Sequence, residues 1–330
     1  MQTGSSVMAR RAHRKLVRIG PWLSVLVLVA SVAVACAEPK VKRTTPRLAT
    51  ATEIRQLWIE PADITRRDLF WGPGGRALAP ENGSTFKLKE EKASGYSPGF
   101  TVEDARGREW SAKQGPEAQS EVAASRIYWA AGYHQPPTYF VAEWTLEGGR
   151  TEGPQMSARF RPDIGKVIGD WSLHQNPFVG TQPYRGLLVL HVMLNNWDIK
   201  PEQNRIYEFE EPRNGARRWF VVRDVGASFG RPRWPDGSRS DPDGYEQHPF
   251  IVGFEGTRVK FADQGRHDEL LRHLTRRDVR WMAERLAKLS DRQLADAFRA
   301  AGYPDPVASR FIRRLKQKID EGLAACPRGC

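Results

Sequence analysis

Apolar positions fall into three regimes along the chain. They are continuous from Trp22 to Val34 apart from Ser24 and Ser31, lose any period from Ala37 to about Thr52, and thereafter recur in two different rhythms. Up to about residue 150 the rhythm is that of strands. Residues 85–89, 100–102 and 109–113 read as three strands joined by turns at 95–99 and 105–107, a meander. Pro116 then stands where a helix can begin, Val122, Ile127, Ala130 and Ala131 supply an apolar stripe, and Gly132 ends it. Extended structure resumes at residues 139–142.

Beyond residue 150 helices dominate. Residues 151–183 carry no clear pattern. An apolar helix over 186–194 then stops at Asn195-Asn196-Trp197-Asp198. Residues 206–209 and 219–223 form two strands around a Gly-containing turn, with Asp224 closing the second. A Pro/Gly-rich loop covers 231–244, and residues 269–323 are helical by period, interrupted near Ser290 and at 302–306. The expected organisation is a leader over 1–36, a tether over 37–60, a β-rich part with one main helix over 61–150, and a helical part over 151–330.

The first apolar run follows Arg10, Arg11, Arg14, Lys15 and Arg18, with no acidic residue before Glu38. It is long enough for the core of an export signal and short for a membrane-spanning helix. It ends on Ala33-Val34-Ala35-Cys36, small residues suited to a signal peptidase, and the same four residues resemble a lipoprotein box. The expectation is an exported protein, anchored in the bilayer of the cell envelope by lipidation of Cys36, or periplasmic or secreted if simply cleaved.

The formal net charge of +12 includes those five leader residues, so the mature chain carries +7. That suits anionic lipid, phosphate or acidic partners. Beyond Cys36 only Cys326 and Cys330 remain, so no disulfide framework is expected; in an oxidising compartment the two could close a small tail loop, but the tail reads as loosely ordered. Other chemistry lacks support. The seven histidines show no metal-ligand spacing, with His134 and His174 isolated; no Ser sits in a Gly-x-Ser-x-Gly setting. The basic helical residues near the end, such as Arg310, Arg313 and Arg314, fit a solvated face beside a membrane better than nucleic acid.

The residues of the second part nevertheless carry a constellation. Asp198-Ile199-Lys200-Pro201-Glu202-Gln203-Asn204, preceded by a helix and followed by a hairpin ending in Asp224-Val225-Gly226, resembles the catalytic loop and metal-binding turn of the protein-kinase-like fold. Upstream, Lys113 at the end of the third strand and Glu121 in the helix after it resemble the phosphate-positioning ion pair, and Gly95 and Gly99 stand where a glycine-rich loop belongs. Asn196-Trp197 replaces the usual His-Arg, Val225 stands in place of Phe, and the amide lies at Gln203 or one residue later at Asn204. The resemblance is closer to atypical members, the HipA-type and secretory-pathway kinases.

It implies an α+β, two-lobed fold with a small β-rich N-lobe and a larger helical C-lobe. It further implies ATP with Mg²⁺ or Mn²⁺, the metal on Asp224 with Asn204 or Gln203, and Asp198 oriented on an acceptor hydroxyl. Lys200 would neutralise the transferred phosphoryl group. Taken singly, a lysine at a strand end is ordinarily a solvated edge residue, and Asp198 or Asp224 an ordinary turn residue. A pseudokinase-like binding module and a structural envelope lipoprotein remain the alternatives.

Overall fold

The computed structural model describes residues 47–92, 98–201 and 204–327. The basic leader, the first apolar run and Cys36 lie outside the described residues, as do Gly95, Gln203 and Cys330. The architecture is α+β, with a β-rich part followed by a helical one.

Two short helices, α1 (Ala51–Ile54) and α2 (Gly75–Leu78), come first. The meander follows as β1 (Thr85–Lys92), β2 (Gly99–Glu103) and β3 (Glu109–Gln114), then α3 (Glu117–Ala130). β4 (Tyr139–Val141), β5 (Trp144–Glu147), β6 (Gly153–Gln155) and β7 (Ala158–Pro162) complete one seven-stranded sheet in the order β4-β7-β3-β2-β1-β5-β6. Its inner face is aromatic, with Phe86, Phe100, Trp110, Trp144 and Phe160 in one cluster. The strand period of two therefore sends Trp110 and Ala112 into that cluster and Ser111 and Lys113 to the opposite side of β3.

The sheet does not end at residue 150. β6 and β7 lie beyond it, so the β-rich part runs on to Pro162. As expected of a two-lobed α+β fold, the sheet and the helices keep distinct apolar clusters, and α3 links them. α3 is buried all round instead of along one stripe, and its Val122, Ala123 and Ile127 belong to the same apolar cluster as residues of the C-terminal helices. Residues 46–330 form one compact unit.

The helical part opens with β8 (Lys166–Asp170) and α4 (Gln182–Met193), capped by Thr181, whose hydroxyl accepts the Tyr184 N–H. β9 (Asn204–Arg213) and β10 (Ala216–Val222) form the expected hairpin, with β8 on the outer side of β9. α5 (Pro242–Gln247) and the hairpin β11 (Ile251–Glu255) and β12 (Arg258–Phe261) lead to α6 (Arg276–Leu286), α7 (Asp291–Ala300) and α8 (Asp305–Ala324). Capping boxes at Thr275 and Ser290 start α6 and α7.

Two further expectations are corrected. The tether is shorter than 37–60, because Leu57 is buried in the main core and Trp58 donates its indole N–H to the Ala131 carbonyl. The C-terminal end is not loose as far as Cys326, which is buried and disulfide-bonded. Among the described residues, no helix is long and apolar enough to cross a membrane.

Candidate active site

Where β3 turns into α3, the register of both elements decides what is presented. Lys113 stands opposite Gly99 of β2. Glu117 and Glu121, four residues apart on α3, share one helix face, and both reach the lysine. Nζ is 2.5 Å from Glu117 Oε2 and 3.8 Å from Glu121 Oε2. A third carboxylate arrives from far along the chain: Asp224, two residues past β10, brings Oδ2 to 3.2 Å from the same nitrogen. The turn carrying it is pinned to α3, since Ser120 donates its hydroxyl to the Gly226 carbonyl at 2.6 Å. Gly226 is required there, because a Cβ on it would lie 2.9 Å from the Glu117 Cβ.

The electrostatics follow from that geometry. Burial opposes charge on Lys113, yet Glu121, Asp224 and Glu117 together raise its pKa above the usual value. Burial likewise opposes charge on Asp224, but Lys113, Arg161 and Arg159 hold its carboxyl down at about 2. The Asp224 side chain keeps 29 % of its surface exposed, so it is a fixed anion that a solute can touch.

Glu121 is sealed from the other side. Arg159 and Arg161, alternate residues of β7, place Nε 2.9 Å and a terminal nitrogen 3.3 Å from its Oε1. These contacts act as charge pairs, since neither Glu121 oxygen nor either Nε has hydrogen-bond geometry. Arg161 also donates to the Arg223 carbonyl at 2.9 Å. The cations outnumber what Glu121 can neutralise. Arg161, then burial, pushes Arg223 down to about 10, and burial with Arg223, Arg159 and Arg161 lowers Lys92. A cavity of about 290 Å³ opens beside them, lined by Lys92, Ser111, Arg161, Lys166, Tyr207 and Arg223.

The loop after α4 is fixed independently. Asn195 takes a left-handed conformation (φ 53°) and donates its amide to the Gly230 carbonyl at 2.6 Å. Its oxygen accepts from Lys318, a fully buried lysine of α8. Trp197 donates its indole N–H to the Ser238 carbonyl. Arg239 lies over the Trp197 ring and pairs with Glu117, tying this loop to α3. Asp198 follows, its Oδ2 accepting from Lys200 at 3.0 Å. Phe229 N–H donates to the Leu194 carbonyl, so the segment after Asp224 runs alongside the start of this loop.

The structure thus brings Lys113, Glu121 and Asp224 together, with Gly99 beside the lysine. Asp198 and Lys200 form a pair in the adjoining loop. Asn204 pairs with Val222 in the hairpin, is almost fully buried, and donates its amide to the Trp171 carbonyl at 3.1 Å. Gly95 and Gln203 lie outside the described residues. Sequence reasoning missed Glu117, Arg159, Arg161 and Arg239. The spacing of four from Glu117 to both Lys113 and Glu121 is a legible signal for the first, and the Arg-x-Arg alternation of 159 and 161 for the next two. Arg223 is part of the cation cluster as well, and its Nε is buried without a hydrogen bond.

A larger cavity of about 1000 Å³ lies elsewhere, lined in part by Trp129, His134 and Trp219. It borders none of the coupled charges, whereas the smaller cavity borders three of the cations, Lys92, Arg161 and Arg223.

No protein-family model matches the chain, and no curated protein matches it. Among solved structures, the crystal structure of a Helicobacter pylori proinflammatory kinase, CtkA, is similar over 74% of this chain and 95% of that one, with 10% sequence identity and a TM-score of 0.46.

Proposed function

We propose that the chain is an exported, kinase-like phosphotransferase that binds ATP around Lys113 and Asp224 and acts on a hydroxyl of an envelope or secreted acceptor. The observation that carries this reading is the contact of Lys113 with Asp224 and two α3 carboxylates, on elements in the order that the resemblance requires. Lys113 is positioned to hold a phosphate, and Lys92, Arg161 and Arg223 add the positive field that a polyanionic tail needs. Asp198 accepts the acceptor's proton as its oxygen bonds to phosphorus and the bond to the departing nucleoside diphosphate breaks. Lys200 lies beside it to offset the charge on the moving group.

A hard divalent cation fits the donor set at Asp224, whose carboxylate is ionised and accessible. Glu121 is unsuited, being enclosed by two arginines. Asn204 is a second donor only through its oxygen, its N–H being committed to Trp171. Bound there, Mg²⁺ would neutralise phosphate charge.

Export through the basic leader and anchoring through Cys36 belong to the same proposal. The disulfide at Cys326 supports it, since such bonds persist in oxidising compartments. A Cys36→Ser protein that stays on membranes with an unchanged N-terminus would contradict the anchor.

A second reading, a non-catalytic binding module, draws on one observation: Glu117, itself tied to Arg239, already occupies Lys113 as a third carboxylate. Calorimetric titration with ATP, with and without Mg²⁺, separates the two. The expected result is Mg²⁺-dependent binding that Asp224→Ala abolishes, together with phosphoryl transfer by the wild type. A folded wild type that binds no nucleotide with Mg²⁺ or Mn²⁺ and transfers nothing overturns the enzyme.

A further inference from the structure

Histidines without ligand spacing along the chain meet in space. His174, isolated in sequence, lies in the loop between β8 and α4; His267 and Glu269 lie between β12 and α6. His174 Nε2 is 3.3 Å and His267 Nδ1 3.1 Å from the same oxygen, Glu269 Oε1. The two rings meet edge to face with centroids 4.7 Å apart, and the three donor atoms lie within 4.8 Å of one another.

We propose that His174, His267 and Glu269 form a binding site for a divalent transition-metal ion, with Zn²⁺ as the ion their chemistry favours. Two imidazoles and one carboxylate make a borderline donor set that suits Zn²⁺ and its neighbours, whereas Mg²⁺ and Ca²⁺ favour oxygen alone. Zn²⁺ bonds of about 2.0–2.1 Å in a tetrahedron put the ligand atoms about 3.3–3.4 Å apart, close to the two histidine–carboxylate separations already present, with the two histidine nitrogens within 4.8 Å of each other. The ion therefore needs side-chain adjustment and no rebuilding of the backbone. All three side chains are partly exposed, at 39 %, 30 % and 43 %, which leaves an entry path and room for water as the fourth ligand.

Position gives the site a consequence. Trp171, three residues before His174, accepts the Asn204 amide. Arg266, next to His267, donates its backbone N–H to the Trp197 carbonyl at 2.8 Å, immediately before Asp198. An ion shared by His174 and His267 ties together the two segments that brace the Asp198–Asn204 loop. Only this consequence bears on the proposed phosphotransfer; the metal site stands without it.

The test is titration of the full chain, first stripped with a chelator, with Zn²⁺ by calorimetry, with metal analysis after dialysis. One Zn²⁺ per chain is expected, undisturbed by excess Mg²⁺. His174→Ala and His267→Ala should each weaken it at least tenfold, Glu269→Gln less, and His273→Ala, an exposed histidine outside the cluster, not at all. Hydrogen exchange over residues 172–176 and 264–269 should slow when Zn²⁺ binds. A wild type that takes up no Zn²⁺, or a His174/His267 double variant that holds it with unchanged affinity, overturns the site. Zinc binding with unchanged exchange in both segments overturns the tie between them.

Discussion

Lys113 Nζ lies 3.2 Å from Asp224 Oδ2 across 111 residues of chain, and β3, which carries the lysine, and β10, which ends two residues before Asp224, belong to different sheets. The contact therefore joins the β-rich part to the helical part through charge. Its strength depends on both groups staying ionised, which makes it sensitive to pH.

Asp224 has its folded pKa at about 2, below the usual 3.8. A depressed carboxylate contributes stability that is complete above its unfolded value and disappears as pH falls from about 4 to about 2. The contribution is on the order of 2 kcal/mol. Urea unfolding of wild type and Asp224→Asn across that range should give two curves that differ at pH 6 and converge near pH 2. A constant gap would show that Asp224 is not held by charge.

Glu117 competes with any phosphate for Lys113, from which it stands 2.5 Å away. Glu117→Gln should therefore tighten binding of ATP, by about three- to tenfold, equivalent to about 1 kcal/mol. Equal or weaker ATP binding by a folded variant would count against a phosphate seat at Lys113.

How much of this was legible depends on how each element is buried. β3 faces a core on one side only, so its alternation shows, and Lys113 could be placed at its end and Glu121 on the following helix. β7 alternates in sequence, Ala-Arg-Phe-Arg-Pro, but is buried at every position from Ala158 to Pro162, so the pattern that reads as a solvent-facing pair of arginines hides that Arg159 and Arg161 are enclosed. α3 buries Ser120, Glu121 and Arg126 along with its apolar residues, which hides the fact that it serves the helical core as well as the sheet. The His174, His267 and Glu269 cluster had no sequence signal, because tertiary packing alone brings its two loops together.

Asp263 offers a test of the segment beside that cluster. Burial raises its pKa to about 6, against the opposing effects of the Gly265 N–H and Lys318. A carboxyl raised in the folded state binds a proton that the unfolded chain releases, so stability falls as pH rises from about 4 to about 6. Asp263→Asn keeps an oxygen for the Gly265 N–H and removes the titration. It should be more stable than wild type at pH 7, by about 1–3 kcal/mol, and no more stable at pH 3. Thermal unfolding at the two pH values checks this, and a variant less stable at pH 7 would refute it.

Asp198 decides whether the cleft performs chemistry. Its Oδ2 accepts from Lys200, and an asparagine can keep that hydrogen bond, so Asp198→Asn should preserve the loop. If Asp198 serves as the proton acceptor for the attacking hydroxyl, its contribution arises in the transition state and not in ground-state binding. The variant should then bind Mg²⁺ and ATP within about twofold of wild type while transfer falls by about 10²- to 10⁴-fold, the range for a lost general base. Asp224→Ala should do the reverse in order, losing binding first and transfer with it. Isothermal titration and a radiolabelled transfer assay on the same preparations distinguish the cases. Transfer unchanged in Asp198→Asn would make Asp198 a turn residue, and binding lost together with transfer would make it a structural or ligand-contacting one. Only the split between the two measurements assigns it the chemical step.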